Sequence, residues 1–185
     1  MSKIETNTID NISGSSTLTI GDSNTSTITL KSGATLTNFP SNTPAFMVNL
    51  SSSQNISTGT KTVITFDTEI LDSNSAYNTS NGKFTVPSGE GGKYYVYGQC
   101  MRNNFFGGRY IVYIGVNGTT KIKAEERNSD SGGTTFDTVG TGGILDLSAS
   151  DEVTVSLYQD TGSTQGANGG GESLSFFMGY KLIGV

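Results

Sequence analysis

Histidine and tryptophan are both absent from this 185-residue chain, and cysteine occurs once, at Cys100. Without histidine the commonest general base and metal ligand is gone. The serine and cysteine triads that depend on an imidazole go with it. A lone cysteine permits neither an intrachain disulfide nor a cysteine zinc site. Its place in an alternating apolar run predicts a small buried hydrophobe.

Long apolar runs are missing too, so no segment reaches the ~18 residues of a membrane-crossing helix. The start, Met1-Ser2-Lys3-Ile4-Glu5-Thr6, lacks the apolar core of a secretion signal. The expectation is a soluble protein made in a cytoplasm. For such a protein the sequons Asn49-Leu50-Ser51 and Asn117-Gly118-Thr119 carry no weight. Charge is sparse and acidic, with 11 Lys and Arg against 16 Asp and Glu, a net of -5. That balance repels DNA and anionic lipid at long range. Neither a nucleic-acid partner nor membrane insertion is expected.

What the chain does have is glycine, 25 residues of it, with abundant Ser, Thr and Asn. No stretch is rich in the Ala, Leu, Glu and Lys that favour helix. Many short strands joined by turns are predicted, an all-β fold. The glycine clusters lack the Lys-Ser/Thr ending of a phosphate loop, and no Asp-x-Asp-x-Asp loop suggests calcium. No metal and no cofactor are assigned. Carboxylate pairs as in glycoside hydrolysis are the one catalytic option left, at Asp67 and Glu69, Glu125 and Glu126, or Asp151 and Glu152. Wetting of an outward strand face and turn formation account for them more simply, so no catalytic residue is assigned.

Residues 1 to 40 differ from the rest, with sixteen Ser or Thr and Phe39 as their only aromatic. Short units recur there: Thr17-Leu18-Thr19-Ile20, Thr27-Ile28-Thr29-Leu30 and Ala34-Thr35-Leu36-Thr37. Each offers at most two large apolar side chains, too few for one chain to bury alone, though several copies about an axis would bury them. An intertwined stem and a disordered linker both fit. Asn42-Thr43-Pro44 marks the junction, giving a segment 1–15, a stem and linker 16–44, and a head 45–185.

In the head, alternation is the main signal. Ile64, Phe66, Thr68 and Ile70 fall on one face of a predicted strand over Lys61 to Leu71, opposite Lys61, Thr65, Asp67 and Glu69. Val153, Val155 and Leu157 point inward from the next clear strand. Leu174, Phe176, Met178, Tyr180 and Leu182 are read as inward near the C-terminus. The run Arg109 to Val116 is apolar on both faces, which fits a core on one side and a partner subunit on the other. Asn117-Gly118 then signals a tight hairpin, with Lys121 to Ala124 as the return. The polar, glycine-rich segments Arg102 to Gly108, Asn128 to Thr135 and Gln159 to Gly171 read as loops able to carry recognition. Phe105 and Phe106 would offer a flat face to a sugar, with Arg102, Asn103 and Asn104 supplying hydrogen bonds. Core plugging by one phenylalanine is the alternative.

Phe66, Asp72, Tyr77 and Phe84, followed by Gly82-Lys83-Phe84-Thr85-Val86-Pro87 and Gly92-Lys93-Tyr94, resemble the signature of the C1q family. Gly143 to Leu147, Asp151 to Val153 and Phe176 to Leu182 are similar to its closing strands. Val96 and Gly98 depart from it, standing where large aromatics are usual. The resemblance implies a C1q/TNF-like jelly-roll sandwich in a homotrimer. With that implication, Tyr110, Ile111, Val112, Tyr113, Ile114 and Val116 become candidates for the threefold axis. The segments Ser16 to Ser23 and Lys31 to Asn38 resemble stems in fibre proteins of marine and cyanobacterial tailed phages, and no collagen-like Gly-X-Y stalk is present. The combination implies a virion surface protein, a short trimeric fibre joined to other virion proteins through its N-terminal segment and contacting host polysaccharide or protein. A capsid decoration protein or head fibre is the alternative, and a surface-polysaccharide depolymerase a remote one.

Overall fold

Valine, isoleucine and tyrosine crowd Arg109 to Val116, and such branched and aromatic side chains suit a pleated, half-buried surface. In the computed structural model this run is the middle of a three-strand block in a two-sheet sandwich. The structure describes residues 42–103, 107–127, 137–170 and 174–183, and Ser32. Residues 40–185 form one compact unit. The segment 1–15 and nearly all of the stem lie outside the described residues.

The described strands are β1 (Ala45–Asn49), β2 (Gln54–Ile56), β3 (Thr62–Val63), β4 (Thr68–Asp72), β5 (Tyr77–Asn78), β6 (Lys83–Thr85), β7 (Gly92–Asn103), β8 (Arg109–Val116), β9 (Thr119–Arg127), β10 (Thr138–Leu147), β11 (Glu152–Gln159), β12 (Gln165–Ala167) and β13 (Phe176–Lys181). One sheet runs β2-β12-β7-β13-β1-β4, with β10 on the other side of β7; the second runs β5-β6-β11-β8-β9, with β3 also on β11. Every pairing is antiparallel. This is a jelly roll, all-β as the composition predicts.

The core lies between the sheets. Phe46 stacks on Phe84 with ring centroids 4.4 Å apart and meets Phe177 edge-on at 4.8 Å. Tyr94, Val96, Val112, Val155 and Leu157 are wholly buried around them. Gly98 is required by this packing: a Cβ there would sit 2.5 Å from Val155 Cγ2. The small residue at that position makes room for the facing sheet.

The predicted landmarks acquire reasons. Asp72 ties the β4–β5 turn, its Oδ1 accepting from the Ala76 amide at 3.1 Å and its Oδ2 from the Tyr77 amide at 2.8 Å. Asn117 and Gly118 take φ of 49° and 78°, the left-handed pair of a tight hairpin, and β9 returns as expected.

Two expectations fail. The strand predicted over Lys61 to Leu71 is two strands in different sheets, β3 and β4. Ile64 and Phe66 are fully buried while the chain crosses between sheets, whereas Ile70 is 56% exposed. The near C-terminal strand is also inverted. Phe177 is buried and Phe176, Met178 and Tyr180 lie on the outward side. Gly179 takes the inward place because Phe46 fills the space, 2.9 Å from where a Cβ would stand.

Candidate functional site

Register places the outward side chains of the first sheet in successive rows, and a charged row, Lys93 opposite Asp146, borders the three that follow. Ile144, Tyr95, Tyr180 and Ala45 form one; Gly142, Tyr97, Met178, Met47 and Leu71 the next; Gly140, Gln99, Phe176 and Asn49 the third. None of the residues in these three rows is charged. Tyr95 and Tyr180 have ring centroids 5.7 Å apart, and Tyr97 and Phe176 5.8 Å apart. Ile144 and Leu71, at the two ends, are 62% and 51% exposed. Gly140 and Gly142 are bare because the Tyr97 ring lies across them; a Cβ on Gly142 would be 2.8 Å from Tyr97 Cδ2. A contiguous apolar sheet face of this kind marks an interaction surface.

The six β8 candidates divide. Tyr110, Val112, Ile114 and Val116 point into the protomer's own core, so their side chains do not reach a partner. Ile111 and Tyr113 face outward, and Ile111 is only 4% exposed. β8 lies in mid-sheet between β11 and β9, with Tyr158 and Glu125 beside Ile111 in register. Of the six, Ile111 and Tyr113 alone lie on the outward side of the sheet.

Arg102 is buried. Its side chain is 1% exposed, with Nη2 donating to Glu126 Oε1 at 2.8 Å and to Asp137 Oδ2. It is a buried tie and does not meet a surface ligand. Asn103 ends β7 opposite Gly166. Asn104, Phe105 and Phe106, and the segment Asn128 to Thr135, lie outside the described residues. The segment Gln159 to Gly171 holds a strand, β12, instead of one open loop. Gln159 is fully buried within it, donating through Nε2 to the carbonyls of Ile56 and Ser163.

The carboxylate pairs are drawn apart by structural partners. Asp67 accepts from the Ser51 amide and hydroxyl at 2.7 and 2.6 Å. Burial pushes its carboxyl up, but the bonds from Ser51 and Thr68 outweigh this and hold it below its ordinary value. Glu126 turns to Arg102 and Glu125 to Arg127. Asp151 accepts from Asn117 Nδ2, and Glu152 pairs with Lys83. Among the described residues no three His, Cys, Asp or Glu side chains gather.

The class the fold defines is an all-β jelly roll, its first sheet carrying an outward aromatic cluster. The comparisons narrow the class. The family model of the C1q domain matches residues 45–182, and the chain belongs to that family. Among solved structures, the globular domain of zebrafish complement 1qA protein is similar at 20% identity, with a TM-score of 0.54, covering 76% of this chain and 98% of that one. At that identity the likeness speaks to fold alone. No curated protein matches.

Proposed function

We propose that the chain is a non-enzymatic, homotrimeric head, with its threefold contact made by the aromatic face of the first sheet. The observation that carries this reading is the run of Tyr95, Tyr97, Phe176, Met178 and Tyr180 on the outward side of a jelly roll whose core is already complete. Membership of a family of binding and structural modules supports it. Mass measurement by light scattering tests it. Full-length protein should give near three times 19.4 kDa, and Tyr97→Lys or Met178→Glu should give folded monomer. A monomeric wild-type chain, or variants that remain trimeric, would refute the interface.

The same reading places the head on the surface of a tailed bacteriophage as a short fibre taking part in host attachment. Residues 1–15 anchor it to other virion proteins and 16–44 form the stem. The recurring Ser/Thr-rich units support a stem, and an assembly face confined to one sheet leaves the other free to meet a host. Capsid decoration is the competing role, favoured by length: 40 residues reach only about 130 Å when fully extended. Binding to bacterial cells supports attachment; binding to empty capsids supports decoration.

A further inference from the structure

The outward side of the second sheet is built from different chemistry. Register sets Tyr158, Ile111 and Glu125 side by side, and Ser156, Tyr113 and Lys123 in the adjoining row. Cations lie against both tyrosines. Lys61 Nζ is 4.7 Å from the Tyr113 ring centroid, and the Arg109 guanidinium is 5.5 Å from that of Tyr158. Ile111, sealed beneath, forms an apolar floor.

The charges on this face are asymmetric. Lys61, Lys83, Arg109, Lys123 and Arg127 project from it, five of the chain's 11 Lys and Arg. Its carboxylates are already matched: Glu152 with Lys83 at 2.7 Å, Asp160 with Arg109 at 2.6 Å, Glu125 with Arg127 at 2.9 Å. Lys61 donates to the Thr120 hydroxyl at 2.8 Å. Neither it nor Lys123 has a carboxylate partner among the described residues. A locally positive face thus stands on a chain of net charge -5.

We propose that this face binds an acidic polysaccharide, its carboxylate or sulfate groups meeting Lys61 and Lys123 and its sugar rings lying beside Tyr113 and Tyr158. The aromatic floor suits the apolar faces of sugar rings, and the tyrosine hydroxyls suit their polar rims. Charge density favours a polysaccharide over nucleic acid. Duplex DNA carries a phosphate about every 1.7 Å of axis and is repelled by the acidic remainder, whereas a sparsely charged polymer meets the local excess. The inference rests on reading the chain as a binding head. Assembly through the first sheet leaves three such faces outward, and weak contacts made three at a time gain effective concentration.

Biolayer interferometry on the full-length protein tests this, with immobilised polygalacturonate, neutral dextran and duplex DNA as probes. Binding to polygalacturonate alone is expected, weakening between about 50 and 200 mM salt. The double variant Lys61→Gln, Lys123→Gln should lose at least about tenfold in affinity. Ser80→Glu with Ser88→Glu, an equal change in net charge placed in the loops flanking β6, should change it little. Equal binding to dextran, tighter binding to DNA, or an unaffected double variant overturns the proposal. Light scattering on the same samples separates the two readings. A trimer that ignores polygalacturonate refutes the face and leaves the assembly; a monomer that binds it does the reverse.

Discussion

At the scale of single residues, the interior is dominated by groups that must stay neutral. Cys100 and Tyr94 are fully buried, and burial pushes both up to about 12. Tyr77 and Tyr110 are raised further for the same reason. Tyr110 still donates its hydroxyl to the Gly166 carbonyl at 3.1 Å, and Tyr94 to that of Glu90 at 2.6 Å. A folded value above the unfolded one means stability that is complete below about pH 9 to 10. That stability drains away as pH rises through the folded values. Alkaline titration should therefore show the phenolate absorbance of these three tyrosines appearing together with loss of the β-sheet circular dichroism signal. A thiol reagent should find Cys100 only at that point. Ionisation of all 8 tyrosines well before the sheet signal falls would contradict the burial described.

Elements show where sequence reading succeeds and why it fails. Hairpin β8–β9 was legible because Asn117-Gly118 carries its own backbone geometry. The inward face of β11 was legible because its alternation points one way. β13 was not: Phe176, Met178 and Tyr180 alternate as well as any core set, and alternation says which residues share a face without saying which face is wet. Only Gly179 packed under Phe46 settles it. Likewise nothing in Lys61 to Leu71 announces a change of sheet, because Ile64 and Phe66 are core residues on either reading. Arg102 was misassigned for a related reason, its polarity suggesting the surface. It sits under the edge strands β9 and β10, tying β7 to Glu126 in one and to Asp137 beside the other. Arg102→Ala should cost about 2–4 kcal/mol, since it removes a buried ion and its aliphatic packing together. Urea denaturation measures it, and a loss under about 0.5 kcal/mol, the range of ordinary surface changes, would show that the tie is idle.

For the whole molecule, the family signature made the fold legible, because Phe66, Tyr77, Phe84 and Tyr94 are core residues in the spacing of that fold. The proposed partner surface was illegible, since it is assembled from β1, β4, β7, β10 and β13, strands far apart in the chain. If three chains share that surface, stability depends on concentration by mass action. Raising protein concentration tenfold should lift the melting temperature by roughly 2–4 °C. A melting temperature independent of concentration would argue for a self-sufficient monomer.

The aromatic side of the first sheet also bears on how the protein is made. A newly folded protomer carries Tyr95, Tyr97, Phe176, Met178 and Tyr180 on its outward side, with charge only in the bordering row of Lys93 and Asp146. If sister chains cover it, as proposed, the surface left bare before they arrive would recruit any apolar patch within reach. On that proposal synthesis would be a race between correct association and precipitation, and many ribosomes on one message would shorten the wait by raising the local supply of partners.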